Sequence, residues 1–124
     1  MEEKTSIVVS SSLYAGYPAS VTAVLKALDA LMQNPITLKY MNAYFIPIVN
    51  VDAYHEMENA YLLNQSFPII LKNRKRPTCP DASKSGVNLA RNFDVNWGKS
   101  GSSQDGCDDY YSCLLYTSPS PRDS

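Results

Sequence analysis

The order of apolar runs in this 124-residue chain predicts an α/β fold with a strand-helix-strand core. Ile7-Val8-Val9 reads as a buried strand, residues 19–33 as an amphipathic helix and residues 45–49 as a further apolar run of strand length. A strand, a helix and a strand in that order suggest a parallel βαβ unit with a right-handed crossover.

The first strand is β-branched and runs into Ser10-Ser11-Ser12. Tyr14-Ala15-Gly16-Tyr17-Pro18 reads as a turn, punctuated by Gly and Pro. Val21, Val24, Leu25, Leu28 and Met32 then fall on one helical face, with Lys26, Asp29 and Gln33 off it. Pro18 suits a first helical turn and Asn34-Pro35 stops the helix. Residues 36–41 read as a short strand or extended connector. In Phe45-Ile46-Pro47-Ile48-Val49 the proline points to an edge position or a strand end. Residues 54–63 read as one or two helical turns, 72–86 as a loop, 87–89 as a brief strand and 96–106 as a Gly/Ser loop.

Length allows one domain, and 44% hydrophobic with 19% charged residues is an ordinary globular balance. A net charge of −1 argues against a whole-surface nucleic-acid binder, which needs clustered excess Lys and Arg. No apolar run is long enough to span a membrane. The N-terminus is acidic and lacks an apolar stretch of signal-peptide type. Three cysteines leave one thiol over if the other two pair.

Several short patterns carry little. His55 has no second histidine for a metal site and reads as a surface or satisfied core residue. Lys72-Asn73-Arg74-Lys75-Arg76 has the composition of a nuclear-localisation or nucleic-acid patch, but reads better as a solvated loop. Gly98-Lys99-Ser100 lacks the glycine that a phosphate loop places five residues before its lysine. Asn64-Gln65-Ser66 is a glycosylation sequon, which matters only in a secreted chain. There is no Gly-x-Ser-x-Gly elbow, and no Cys–His nucleophile pairing is suggested.

Two stretches together carry more. The first is Val49-Asn50-Val51-Asp52-Ala53-Tyr54. The second runs from Lys72-Asn73-Arg74 through Cys79 to Gly86-Val87-Asn88-Leu89-Ala90-Arg91-Asn92-Phe93 and Trp97-Gly98, extended by Gly101-Ser102-Ser103, Cys107 and Tyr111. In order and spacing they resemble the zinc carboxypeptidases of the carboxypeptidase A and B type. The resemblance spans residues 6–111, well under half of that family's catalytic domain. It implies a fragment of a mixed-sheet zinc carboxypeptidase fold.

In that family a zinc held by two His and one Glu activates water, a glutamate acts as general base and an arginine polarises the scissile carbonyl. An Asn-Arg pair grips the substrate's terminal carboxylate, because a guanidinium fork matches it bidentately. Carried onto this chain, the first His position falls on Tyr14 and the Glu position on Tyr17. The substrate Arg between them falls on Gly16. The carbonyl-polarising arginine falls on Leu71, with Arg74 three residues on as a weaker substitute. The Asn of the carboxylate pair is Ala90, and Arg91 is retained. The remaining ligand and the general base would lie beyond residue 111. The resemblance thus implies no catalytic residue and no tight zinc site in this chain, with substrate binding left to Arg91. The partners it implies are peptide or protein C-termini.

Cys79 and Cys107 sit where the family often has a disulfide; two unpaired buried thiols are the alternative. A disulfide would favour an extracellular, secretory-lumen or lysosomal-lumen location. Residues 113–123, Cys-Leu-Leu-Tyr-Thr-Ser-Pro-Ser-Pro-Arg-Asp, resemble the in-frame translation of a sequencing adaptor. The expected organisation is therefore a partial carboxypeptidase-like domain over 1–112 and a disordered tail over 113–124. The expected activity is a lost C-terminal exopeptidase. The alternative is a non-catalytic module that binds peptide C-terminal carboxylates through Arg91.

Overall fold

A computed structural model describes residues 3–64, 66–74, 77–93, 97–99 and 101–113. The chain divides into two units: residues 1–12 with 17–49, and residues 13–16 with 50–124.

In the first unit β1 (Thr5–Ser10) pairs in parallel with β2 (Met41–Ile46), with Thr5 opposite Met41 and Ser10 opposite Ile46. Parallel strands need a long crossover. It is supplied here by α1 (Pro18–Gln33) and a 3₁₀ turn over Pro35–Lys39. The pairing continues past the strands, since Ser11 N–H donates to the Ile46 carbonyl at 3.1 Å and Val49 N–H to the Ser11 carbonyl at 3.1 Å. Pro47 follows the last residue of β2, where a missing N–H costs no ladder bond.

Pro18 opens α1, where its fixed φ and absent N–H are tolerated. Tyr17 at the N-cap makes no side-chain cap bond, and the first turn carries no acid and the last turn no base. Of the face expected to be apolar and inward, Val21 and Val24 are buried, whereas Leu25 and Met32 are 48% and 68% exposed. β1 differs from expectation in the same way: it is a strand, but Ile7 and Val8 are exposed. Two strands and one long helix supply too little surface to cover both faces of the sheet and the whole helix stripe. Of residues 36–41 only Met41 is in a strand, and the rest are not an extended connector. Pro35 starts a 3₁₀ turn there, and β2 begins only at Met41.

In the second unit α2 runs over Val51–Asn64, longer than the one or two turns its sequence suggested. Tertiary capping explains the difference. Asn50 Oδ1 accepts the Ala53 N–H at 3.2 Å, satisfying a donor that the helix itself leaves open, and Asp52 lies in the first turn, where a carboxylate suits the dipole. Ala53 and Met57 of α2 pack with Ala15 and Ile70 into a small core, with Tyr54 against it. Ala15 and Ile70 exchange both backbone bonds, at 2.9 and 3.1 Å. Residues 87–89 are not a strand: Leu89–Arg91 is a 3₁₀ turn, while Val87 gives its bonds to Asn73. Among the described residues the rest of this unit is loop with a 3₁₀ turn over Ala82–Lys84, held by the Cys79–Cys107 disulfide and by buried polar side chains.

Candidate functional site

The loops of the second unit are built on asparagines and one lysine. Asn73 Oδ1 accepts the Val87 N–H at 3.1 Å while its own N–H reaches the Val87 carbonyl at 3.0 Å. Thr78 Oγ1 accepts the Gly86 N–H at 2.8 Å and donates to the Gly106 carbonyl at 2.8 Å. Asn88 is fully buried. Its N–H meets the Tyr111 carbonyl and its Nδ2 the Asp109 carbonyl, each at 3.0 Å. Asn92 Oδ1 accepts from Trp97 Nε1 at 2.8 Å and from the Cys113 N–H at 3.1 Å. Buried loop backbone must find partners, and these side chains provide them.

The basic run from Lys72 is not a solvated loop throughout. Lys72 and Asn73 are buried, and Lys72 Nζ donates to the carbonyls of Lys84, Gly106 and Asp108. The ammonium also lies 5.7 Å from the Tyr111 ring centroid. Burial pushes its pKa below the usual lysine value, opposed chiefly by Asp109. A buried charge needs such saturation, because an unpaired one is costly. Lys75 and Arg76 lie outside the described residues.

The residues singled out for chemistry are distributed as follows. Tyr14 is half-buried in the second unit, and Tyr17 is exposed at the N-cap of α1 in the first. Gly16 between them in sequence has φ +107°, and a Cβ there would lie 2.9 Å from Ile69 Cα and from the Pro68 carbonyl oxygen. An arginine would not fit that backbone or that space. Leu71 is half-buried. Arg74 is engaged: Nε and Nη2 meet Glu56 at 2.8 and 3.3 Å, and Nη1 donates to the Ser85 carbonyl at 2.7 Å. It lines a hollow of about 570 Å³ with Glu56, Pro77, Pro80 and Ser85. Arg91 is exposed at the end of its 3₁₀ turn, beside the half-buried Ala90, with Cζ 5.2 Å from the Tyr110 ring centroid. Tyr110 stands in no motif of the sequence, and Lys72, which opens the Lys72-Asn73-Arg74 stretch, reads there as solvated rather than buried. Their partners are distant in sequence.

The zinc carboxypeptidase profile matches residues 1–113. The chain belongs to the zinc carboxypeptidase family. Its fold agrees. A structure of bovine thrombin-activatable fibrinolysis inhibitor in complex with tick carboxypeptidase inhibitor superposes with a TM-score of 0.65 at 25% identity, covering 95% of this chain and 38% of that one. A second structure of thrombin activatable fibrinolysis inhibitor gives a TM-score of 0.61 at 23% identity, covering 98% of this chain and 30% of that one. The chain therefore spans well under half the length of these carboxypeptidase-fold neighbours. No functionally curated protein matches it in sequence.

Membership of a zinc carboxypeptidase family raises the question of the metal. Zinc takes imidazole, thiolate and carboxylate donors. Among the described residues there is no group of three or more His, Cys, Asp or Glu side chains able to hold a metal ion. Tyr14 and Tyr17, which the sequence resemblance sets at ligand positions, carry phenols. The described residues do not fit zinc. Also among them, no helix is long and apolar enough to cross a membrane. The Cys79–Cys107 bond expected from the family resemblance is formed, with Cα atoms 4.9 Å apart.

Proposed function

We propose that this chain is a partial metallocarboxypeptidase-like protein that does not hydrolyse peptides as it stands. The activity its family implies is zinc-dependent removal of the C-terminal residue of a peptide. The observation that carries the reading is the donor set. Phenols stand at Tyr14 and Tyr17, and the carbonyl-polarising position holds the apolar side chain of Leu71. Without a zinc-bound water or a cation at the scissile carbonyl, neither the nucleophile nor the developing oxyanion is stabilised. Purified chain incubated with zinc and desalted is expected to retain far less than one equivalent of metal and to release no C-terminal amino acid. Stoichiometric zinc together with release would overturn the proposal.

A second reading has its own support. Arg91 is exposed and lies over the Tyr110 ring, whereas the Arg74 guanidinium is taken up by Glu56 and Ser85. Arg91 is therefore the better of the two candidates for binding the carboxylate of a peptide or protein C-terminus, without catalysis. A free-acid peptide should bind more tightly than its C-terminal amide, and Arg91→Ala should remove the difference. Equal binding of the two peptides by the unaltered chain would reject this reading.

The disulfide supports an extracellular or secretory-lumen setting. The tail is proposed to be adaptor-derived from residue 113. Residues 114–124 lie outside the described residues, and the backbone of Cys113 still bonds to Asn92. Genomic sequence read across codon 112 tests this. Continuation into a different coding sequence supports it, and the same tail in the genome refutes it.

A further inference from the structure

An exposed arginine is a costly anchor if it must be ordered on binding, because its side chain has many rotamers to lose. Arg91 is ordered by its neighbours. Its guanidinium lies over the Tyr110 ring, with Cζ 5.2 Å from the ring centroid. Gly101 also lies against it: a Cβ there would fall 2.8 Å from Arg91 Nη1. Gly101 has φ +85°, a conformation that glycine adopts freely, so the turn keeps this space open.

Ring and guanidinium share a common anchor. Arg91 N–H donates to the Asn88 carbonyl at 3.1 Å, while the buried Asn88 binds the carbonyls flanking Tyr110, those of Asp109 and Tyr111. Tyr110 itself is fixed through its backbone. Its N–H donates to Asp108 Oδ1 at 2.8 Å, and its carbonyl accepts the Ser103 N–H at 3.0 Å. These bonds do not use the phenol ring, so the ring is available for the arginine. A cation over a ring is attracted by the ring's quadrupole and needs no N–H···acceptor bond for it, so the N–H donors remain for a bidentate acceptor.

We propose that Tyr110 and Gly101 form a cradle that presets the Arg91 guanidinium for a free peptide carboxylate, with Tyr110 as the positioning residue. This rests on the reading of Arg91 as a carboxylate anchor. The test uses the full chain, its Tyr110→Leu and Tyr110→Phe variants, and a peptide in free-acid and C-terminally amidated forms. The first readout needs no ligand. The Arg91 Nε–H resonance should be shifted upfield by the ring in the parent and in Tyr110→Phe, and should lose that shift in Tyr110→Leu. The second readout is binding. Tyr110→Leu should weaken the free-acid peptide about two- to fivefold, as loss of an exposed cation–π contact implies. The amide should be unaffected, and Tyr110→Phe should retain parental affinity. Unchanged free-acid affinity in Tyr110→Leu would overturn the positioning role while leaving Arg91 as anchor. An upfield-shifted Arg91 resonance with no preference for the free acid in the parent would overturn the carboxylate site and keep only the ring contact.

Discussion

Asn50 serves two segments with one amide. Its Oδ1 caps α2 through the Ala53 N–H and its Nδ2 donates to the Leu13 carbonyl at 3.0 Å, and the residue is 1% exposed. Asn50→Ala should lower unfolding free energy by about 2–3 kcal/mol, a lost cap plus a stranded carbonyl. Asn50→Asp, which keeps the acceptor and loses the donor, should cost less. Urea titration of the three proteins measures both. Lys72 gives a pH dependence. Its folded pKa lies below the unfolded value, first because of desolvation and against the pull of Asp109, with Arg74 lowering it further and Asp108 and Asp105 raising it. Between the folded pKa and the unfolded value the unfolded chain binds more protons, so stability rises with pH there. The parent should gain stability relative to Lys72→Met as the pH rises across the range below the ordinary lysine value of about 10.5. Denaturant midpoints across that range provide the check, and a constant difference would contradict it. Asn50, Asn73, Asn88 and Asn92 all belong to the stretches that resembled the family. Each bonds loop backbone. The residues that made the resemblance legible thus include the ones that hold the loop scaffold.

At the level of elements, periodicity worked where one face is buried and failed where capping or proline decided. α1 was legible from 19 to 33 because its apolar spacing is helical and Pro18 and Pro35 bracket it. Its N-terminus remains poorly satisfied, since Tyr17 makes no side-chain cap bond and no acid lies in the first turn. Tyr17→Asp should therefore raise the stability of α1 by about 0.5–1 kcal/mol through a cap bond and a favourable charge. The gain is read as a higher thermal midpoint by circular dichroism, shrinking in high salt. α2 was underestimated because its cap residue Asn50 also serves the 13–16 segment, a contact that local sequence does not announce. Residues 87–89 look like a strand by composition, yet the Val87 N–H and carbonyl are both taken by Asn73, and no sheet ladder forms.

At the scale of the whole molecule, the second unit relies on covalent and polar ties because its apolar core is small. Cys79 and Cys107 are 28 residues apart in sequence, so the bond is worth about 3–4 kcal/mol on the chain-entropy model. Reduction, or replacement of both cysteines by serine, should shift the urea midpoint by a corresponding amount; an unchanged midpoint would show that the polar ties suffice alone. The sequence by itself determined the strand-helix-strand order, the parallel pairing that this order demands and the family. These follow from side-chain period, chain connectivity and residue identity, all of which are written locally. The tertiary structure decided which residues are covered, that Lys72 is an internal cation held by three carbonyls, that Arg74 is engaged by Glu56 and Ser85, and that Arg91 rests on Tyr110. Burial and pairing depend on which distant segments meet, and that is settled only when the chain closes on itself.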